Sequence, residues 1–280
     1  MIPREFDYLA PKTLDEAVGL LERHGAEAKL LAGGHSLLPL MKLRLAAPRT
    51  LIDLGRVREL SSIREAGGRI AIGAMTTHAA IETSDLLRKR APLLVETAAA
   101  IGDVQVRNRG TLGGAVAHAD PAADYPAALL VLNAEFRAVS RKGERVIPAS
   151  EFFVEMLTTA LGPGEILAEV RFGGDPPHTG SAYKKLHQPA SGFAIVGVAV
   201  RVVLGKRGRC SEARVGVTGV AVRPYRAANV ESELWDKKLD AKTIARAALR
   251  AAEGVEPLSD LHASARYRAA MAEVFTRRAL

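Results

Sequence analysis

Cysteine is almost missing from this chain: Cys210 is the only one. That excludes a disulfide framework, a cysteine-rich zinc site and the ligand set of an iron–sulfur cluster, and it fits a reducing cytoplasm. Long apolar runs are missing too. The longest, FAIVGVAVRVVL, is broken by Arg201 and falls well short of the roughly 20 residues a membrane span needs, so it reads as a buried strand. The first residues, MIPREFDYLAPKTLDEAVGLL, lack the basic-then-apolar order of a secretory signal. Aromatic residues make up only 5%.

Several chemistries are also lacking. No Gly-x-x-x-x-Gly-Lys-Ser/Thr and no Gly-x-Gly-x-x-Gly follows the first strand, which excludes a P-loop and a Rossmann site. There is no Gly-x-Ser-x-Gly, and the seven histidines form no metal spacing. No nucleophile or acid–base pair stands out. A net charge of +8 comes from Lys and Arg spread along the chain, with no basic run of five and no interleaved aromatics. It suits a solvated basic surface, an acidic partner or an anionic ligand better than nucleic acid.

What is present is the composition of a folded protein, 48% hydrophobic and 25% charged over 280 residues, a length that suggests two domains. TLDEAVGLLERHG reads as a helix, with Thr13 and Glu16 at capping-box spacing. AKLLAGG is a strand ending in a glycine turn, SLLPLMKL one helical turn or a loop, and TLIDL and RIAIGA are strands. Residues 77–101 read as helices, with Pro92 opening a new one. Residues 102–126 lack any period and read as a long functional loop. A helix at about 123–133, strands EFRAVS, RVIP and EILAEVRF, and a boundary at GGDPPHTG follow. Beyond the boundary, three strand-like runs predict an antiparallel meander, and the alanine-rich tail from about 227 to 278 predicts helices.

Two glycine pairs, AGGHS (32–36) and TLGGA (111–115), each stand near a hydroxyl residue. They are either tight turns or anion-binding nests, in which consecutive bare N–H groups approach a diphosphate that a Cβ would block. Asp120 and Asp124 in AHADPAADYP would need more ligands than His118 to form a metal site; Asp120 reads instead as a helix N-cap ahead of Pro121, and Asp124 as a partner for a ribose or ribityl hydroxyl. Phosphate-binding loops without catalytic machinery point to a cofactor that carries the chemistry.

LLAGGHSLLPLMKLRL, TLIDL, IAIGAMTTHA, VRNRGTLGGAVAHADPAADYPAALLVL and YKKLHQPASGFAIVGVAV, in that order, resemble the FAD-binding medium subunit of molybdenum hydroxylases. The likeness is to the aerobic carbon monoxide dehydrogenase type within the xanthine dehydrogenase family, and it runs over nearly the whole chain. It implies an α+β fold of the vanillyl-alcohol oxidase-like (PCMH) type. FAD would lie between subdomains at about 1–54 and 55–176, and residues 177–280 would form a C-terminal domain with a three-stranded antiparallel sheet and a helical bundle. It implies non-covalent FAD here, although His35 and His118 lie near the site. It also implies a large partner subunit with the molybdenum cofactor and a small one with a pair of 2Fe-2S clusters. The complex would be a dimer of heterotrimers, cytoplasmic, at most peripheral to the inner membrane.

The resemblance places Ala32, Gly33, Gly34, His35 and Ser36, with Thr111, Gly113, Gly114 and Ala115, along the FAD diphosphate. It puts Ile101 against the flavin, Asp124 at the ribityl or ribose region, and Leu167, Lys184 and Phe193 near the isoalloxazine. The family often has Asn where Ala115 stands and, in its carbon monoxide group, Tyr where Phe193 stands. The substrate of the complex is therefore carbon monoxide, a purine or another N-heterocycle, and the acceptor NAD, quinone or oxygen. A stand-alone flavin reductase and a non-catalytic nucleotide- or nucleic-acid-binding protein are the other readings. Val at Gly34 or Gly113 is expected to abolish FAD binding and leave the fold intact.

Overall fold

Thr13 starts the first helix as its spacing predicts, its hydroxyl accepting the Glu16 N–H at 3.2 Å. Glu16 reaches back one residue further than a capping box requires, to the Lys12 N–H at 2.8 Å. A computed structural model describes residues 2–280. The chain runs through β1 (Asp7–Leu9), α1 (Leu14–His24), β2 (Ala28–Leu31), the short α2 (Leu37–Lys42) and β3 (Thr50–Asp53). The strands form a parallel sheet of order β1-β3-β2, with Asp7 and Ala28 both opposite Thr50. Leu14, Ala17 and Val18 of α1 pack on its face with Ile52 and Leu54.

A second layer begins with β4 (Ile63–Ala66) and β5 (Arg69–Gly73), followed by α3 (His78–Glu82), α4 (Asp85–Arg90) and α5 (Pro92–Ala99). Next come α6 (Val104–Arg109), α7 (Leu112–His118) and α8 (Tyr125–Val131). The chain then forms β6 (Glu135–Ser140), β7 (Gly143–Pro148), α9 (Ala149–Phe152), the hairpin β8 (Phe153–Glu155) and β9 (Thr158–Thr159), and β10 (Ile166–Gly173). The main sheet is antiparallel, in the order β4-β5-β10-β6-β7.

The long loop expected at 102–126 is instead mostly two helices, α6 and α7. Each is started by a side chain: the Asp103 carboxylate accepts the Val106 N–H at 2.8 Å, and the Thr111 hydroxyl the Gly114 N–H at 3.1 Å. Helices of six and seven residues are too short to show a 3.6-residue period, so the text reads as aperiodic. Asp120 caps no helix. Its side chain closes a local turn on the Ala122 N–H at 2.8 Å.

After a connecting segment, β11 (Thr179–His187), β12 (Ala194–Leu204) and β13 (Cys210–Thr218) form the expected meander. A fourth strand, β14 (Tyr225–Arg226), adds to the expected three by pairing with Gly216 and Val217. Two residues are too few to carry a strand pattern. Helices α10 (Ala228–Leu234), α11 (Ala241–Ala248) and α12 (Ala265–Ala279) cover this sheet and share a core with Val196, Val198, Val200, Val215 and Val217. Among the described residues, no helix is long and apolar enough to cross a membrane.

The junction between the sheets is buried and polar. Tyr183 and Ala199 belong to the same core as Ile72, Leu112, Tyr125 and Phe136. The Thr218 hydroxyl lies 2.8 Å from the carbonyls of both Pro121 and Ala123. Arg201, the charge inside the apolar run, is buried and donates to Asp175 at 2.7 Å, while the Asp175 N–H bonds the Arg90 carbonyl at 2.7 Å.

Candidate functional site

The glycine segments meet. A Cβ on Gly33 would strike the Arg109 carbonyl oxygen and sit 2.8 Å from the Gly110 Cα. Gly33 is therefore bare so that the loop before α7 can approach, which corrects the expectation that a diphosphate alone requires it. Gly34 has φ 79°, in the left-handed region that favours glycine. Past it the backbone is open: among the described residues, no acceptor takes the N–H of Gly34, His35 or Ser36. Three consecutive unpaired N–H groups on a half-exposed turn are the elements of an anion-binding nest. The exposed His35 ring lies 3.2 Å from the Gly33 carbonyl. Ala32 is half-buried.

The second pair behaves differently. The N–H groups of Leu112, Gly113 and Gly114 go to the Thr76 carbonyl (2.9 Å), the Ala74 carbonyl (2.8 Å) and the Thr111 hydroxyl (3.1 Å). The Ala115 N–H goes to the Thr111 carbonyl at 3.0 Å. No nest is left there, contrary to the sequence expectation. The support runs deeper, because a bulge in β10 between Leu167 and Glu169 lets the Ala168 carbonyl take the Ala74 N–H at 2.9 Å. A Cβ on Gly113 would collide with Ala74, lying 2.7 Å from its carbonyl oxygen. The expectation that Gly113→Val spares the fold is thus overturned. Gly114 faces Ala32 of the first segment, and Gly114 and Ala115 are half-buried.

His78 lies under this loop. Its N–H donates to the Gly110 carbonyl at 3.0 Å, and its ring stands 5.2 Å from that of Tyr125. Both the His78 Nδ1 and the Tyr125 hydroxyl are buried without a partner among the described residues. Burial first, then His35 and Arg107, push the His78 pKa down to about 4, so the ring is neutral near pH 7.

Asp124 is buried, not open to solvent. It accepts from the Tyr183 hydroxyl at 2.6 Å and from Lys185 Nζ at 2.9 Å, and Lys185 also donates to the Ala100 carbonyl at 3.0 Å. Burial pushes the carboxyl up from the ordinary carboxylate range, while Lys185 and Tyr183 hold it back. Burial and then Asp124 hold the Tyr183 hydroxyl well above its usual value. Lys184, the lysine named from the sequence, instead pairs with Glu96 at 2.8 Å on an exposed surface. Strand alternation could have found the difference: in Tyr183-Lys184-Lys185, the first and third residues share a face.

Ile101 is half-buried beside Ala100, and Leu167 is buried in the core. Phe193 precedes β12 with 45% of its surface exposed. Its loop touches the same corner: a Cβ on Gly192 would lie 3.3 Å from the Gly102 Cα. The structure therefore brings residues 32–33 against 109–114, and Ala100 and Gly102 against Lys185 and the Gly192–Phe193 turn of the C-terminal part, with Asp124 of the N-terminal part bound by Lys185.

Comparison with known proteins decides the family. A family model described as "FAD binding domain in molybdopterin dehydrogenase" matches residues 4–173, and one described as "CO dehydrogenase flavoprotein C-terminal domain" matches 181–280. The chain belongs to the FAD-binding medium subunits of the carbon monoxide and xanthine dehydrogenase family. As a medium subunit it is 43% identical to the carbon monoxide dehydrogenase medium chain of Hydrogenophaga pseudoflava, over 100% of this chain and 97% of that one. It is 40% identical to the 6-hydroxypseudooxynicotine dehydrogenase complex subunit alpha of Paenarthrobacter nicotinovorans, over 100% and 95%. Carbon monoxide dehydrogenase from Hydrogenophaga pseudoflava superposes with a TM-score of 0.96 at 43% identity, over 100% of this chain and 97% of that chain. Quinoline 2-oxidoreductase from Pseudomonas putida 86 gives 0.93 at 35%, over 100% and 96%. The medium subunit is thus an FAD-binding flavoprotein of an oxidoreductase. The residues present fit that cofactor: an unpaired N–H row suits a diphosphate, and the half-buried apolar corner at Ile101 suits a ring.

Proposed function

We propose that this chain carries non-covalent FAD, held as in PCMH-type proteins, in a cytoplasmic molybdenum hydroxylase. Its partners are a large molybdenum-cofactor subunit and a small 2Fe-2S subunit, assembled as a dimer of heterotrimers. The observation that carries the reading is the row of unpaired N–H groups at Gly34, His35 and Ser36, on the turn whose Gly33 packs against the loop that begins α7. They bind the diphosphate electrostatically. Ala32, Thr111, Gly114 and Ala115 wall that side, and Gly33 and Gly113 keep the walls in contact. Asp124 and Lys185 provide a fixed, paired acceptor and donor beside Ala100. Ile101 and Phe193 keep water from the ring. The chemistry supplied by bound FAD is electron exchange between a one-electron cluster donor and an external acceptor.

Carbon monoxide is the first substrate to test for the complex, since the relatives at 43% and 40% identity include carbon monoxide dehydrogenase medium chains. The 40% identity to the oxynicotine relative makes an N-heterocycle the comparison. The test begins with the purified full chain. It should take up one equivalent of FAD, and acid precipitation should release the flavin into the supernatant. Co-expression with the large and small subunits should give a stable complex that oxidises substrate, whereas the chain alone should not. Failure to bind FAD, or hydroxylation by the chain alone with metals excluded, would overturn the proposal.

A further inference from the structure

We infer that Arg107 is a positioning residue for the flavin: it clamps the turn that carries Ile101 and balances the charge that this turn presents to the ring. The inference rests on the FAD reading above. Ile101 follows the last turn of α5, where the carbonyls of a helix end lack intrahelical partners. Three successive carbonyls there are taken by cations. Lys185 Nζ donates to Ala100 at 3.0 Å, and Arg107 Nη1 donates to Ile101 at 3.1 Å and to Gly102 at 3.4 Å. The two cations arrive from different sides. Lys185 reaches across from β11, where it also holds Asp124, and Arg107 reaches back from α6, which opens directly after the turn. Gly102 makes the turn with φ 47°, and a Cβ on it would lie 2.9 Å from the Val106 side chain, so α6 folds closely onto the turn it follows.

Arg107 is itself fixed. Its Nε–H donates to Glu82 Oε2 of α3 at 2.8 Å, and the pair is largely covered, with side chains 15% and 30% exposed. A guanidinium holds its donors in a rigid fork, so an anchor on Glu82 sets where the other edge meets the carbonyls. The half-buried Ile101 side chain is therefore held between clamped backbone groups. The clamp also sets the local charge. Free carbonyls at a helix end carry partial negative charge. Flavin becomes more negative as it takes up electrons, so a nearby carboxylate or bare carbonyl opposes its reduction and a nearby cation favours it. Arg107 and Glu82 cancel as a pair. Loss of the guanidinium uncovers the carboxylate and the carbonyls, whereas loss of the carboxylate uncovers a cation. The two losses act on the flavin with opposite signs, which a mere loosening of the turn gives no reason to expect.

Matched charge variants of the full chain test this. Arg107→Gln should weaken FAD binding about tenfold and move the flavin midpoint potential, read by dye-equilibrated reduction, downward. In the FAD-free chain of that variant, backbone hydrogen exchange over residues 100–102 should quicken about tenfold, with the β6–β7 hairpin unchanged. Glu82→Gln keeps an oxygen that accepts from Arg107, so exchange should stay at the wild-type rate while the potential moves upward. Arg107→Lys keeps the charge and should restore the wild-type potential. Shifts of the same sign in the two glutamine variants, or wild-type affinity and exchange in Arg107→Gln, overturn the inference. If Arg107→Gln does not fold, Glu82→Gln decides alone: an upward shift upholds the inference, and an unmoved or lowered potential overturns it. A wild-type chain that takes up no FAD would sink the flavoprotein reading and this inference with it. FAD uptake with an unmoved potential in both glutamine variants would sink the inference alone.

Discussion

At Gly34, His35 and Ser36 the backbone N–H groups have no acceptor, whereas at Leu112, Gly113 and Gly114 each one is taken, by Thr76, Ala74 and the Thr111 hydroxyl. Both segments present a glycine pair near a hydroxyl residue, yet one pair keeps donors free and the other lets a helix settle onto a β-bulge. Bareness at a glycine has two physical uses, a place for a ligand and a place for another part of the backbone. The neighbours decide which, and Gly33 serves the second use although it stands in the first segment.

Matched valines should separate the segments most sharply. Gly113→Val drives a side chain into Ala74 inside a buried helix and should cost about 3 kcal/mol or more. Soluble yield and melting temperature should both fall, with or without FAD. Near-wild-type melting would mean that α7 can shift off the sheet. His78, beneath the second segment, gives a comparable effect through pH. Its pKa is about 4 in the fold against the 6.5 of an ordinary histidine, so on acidification the unfolded chain takes up the proton first. Stability should be full above about pH 6.5 and fall by about 3 kcal/mol as pH drops to about 4. Urea midpoints across that range should flatten in His78→Gln. An equal slope in wild type and variant would show that His78 is not the group responsible.

Gly34→Val should act mainly on the ligand. Its Cβ meets the movable Leu38 and Leu31 side chains and no backbone, and the left-handed backbone adds about 1–2 kcal/mol of strain. FAD affinity should drop at least tenfold in a chain that still folds, about 1.4 kcal/mol or more. FAD titration at wild-type affinity would remove the nest from the site. The smallest effect belongs to Thr111→Ala, which removes a helix cap worth about 1 kcal/mol. Thr111→Ser should restore it, as read by thermal melting.

Most strands were legible because alternating or continuous apolar runs such as RIAIGA and FAIVGVAVRVVL leave few other choices. Helices α6 and α7 were not, being under two turns long and fixed by Asp103 and Thr111 caps instead of by a repeating apolar face. In the candidate site, the glycine motifs pointed to the right loops, but hydrogen-bond accounting needs the fold. Whether the Gly113 N–H is free depends on Ala74, thirty-nine positions earlier in the chain. Choosing between Lys184 and Lys185 required the strand's facing, which the adjacent lysines leave undetermined until Tyr183 is known to point inward.

The pairing of Asp124 with Tyr183 and Lys185 has a consequence for how such a chain can be inherited or rebuilt. The carboxylate comes from the N-terminal half and its partners from the C-terminal sheet. Recombination between relatives at the Gly-Pro-rich junction would therefore splice together two halves of one electrostatic unit. A chimera would succeed only if the incoming half brought a matching hydroxyl and ammonium. Severed there, the first half would be left with a buried negative charge and no counterpart. The two domains are separate as modules of a family but inseparable as pieces of this molecule.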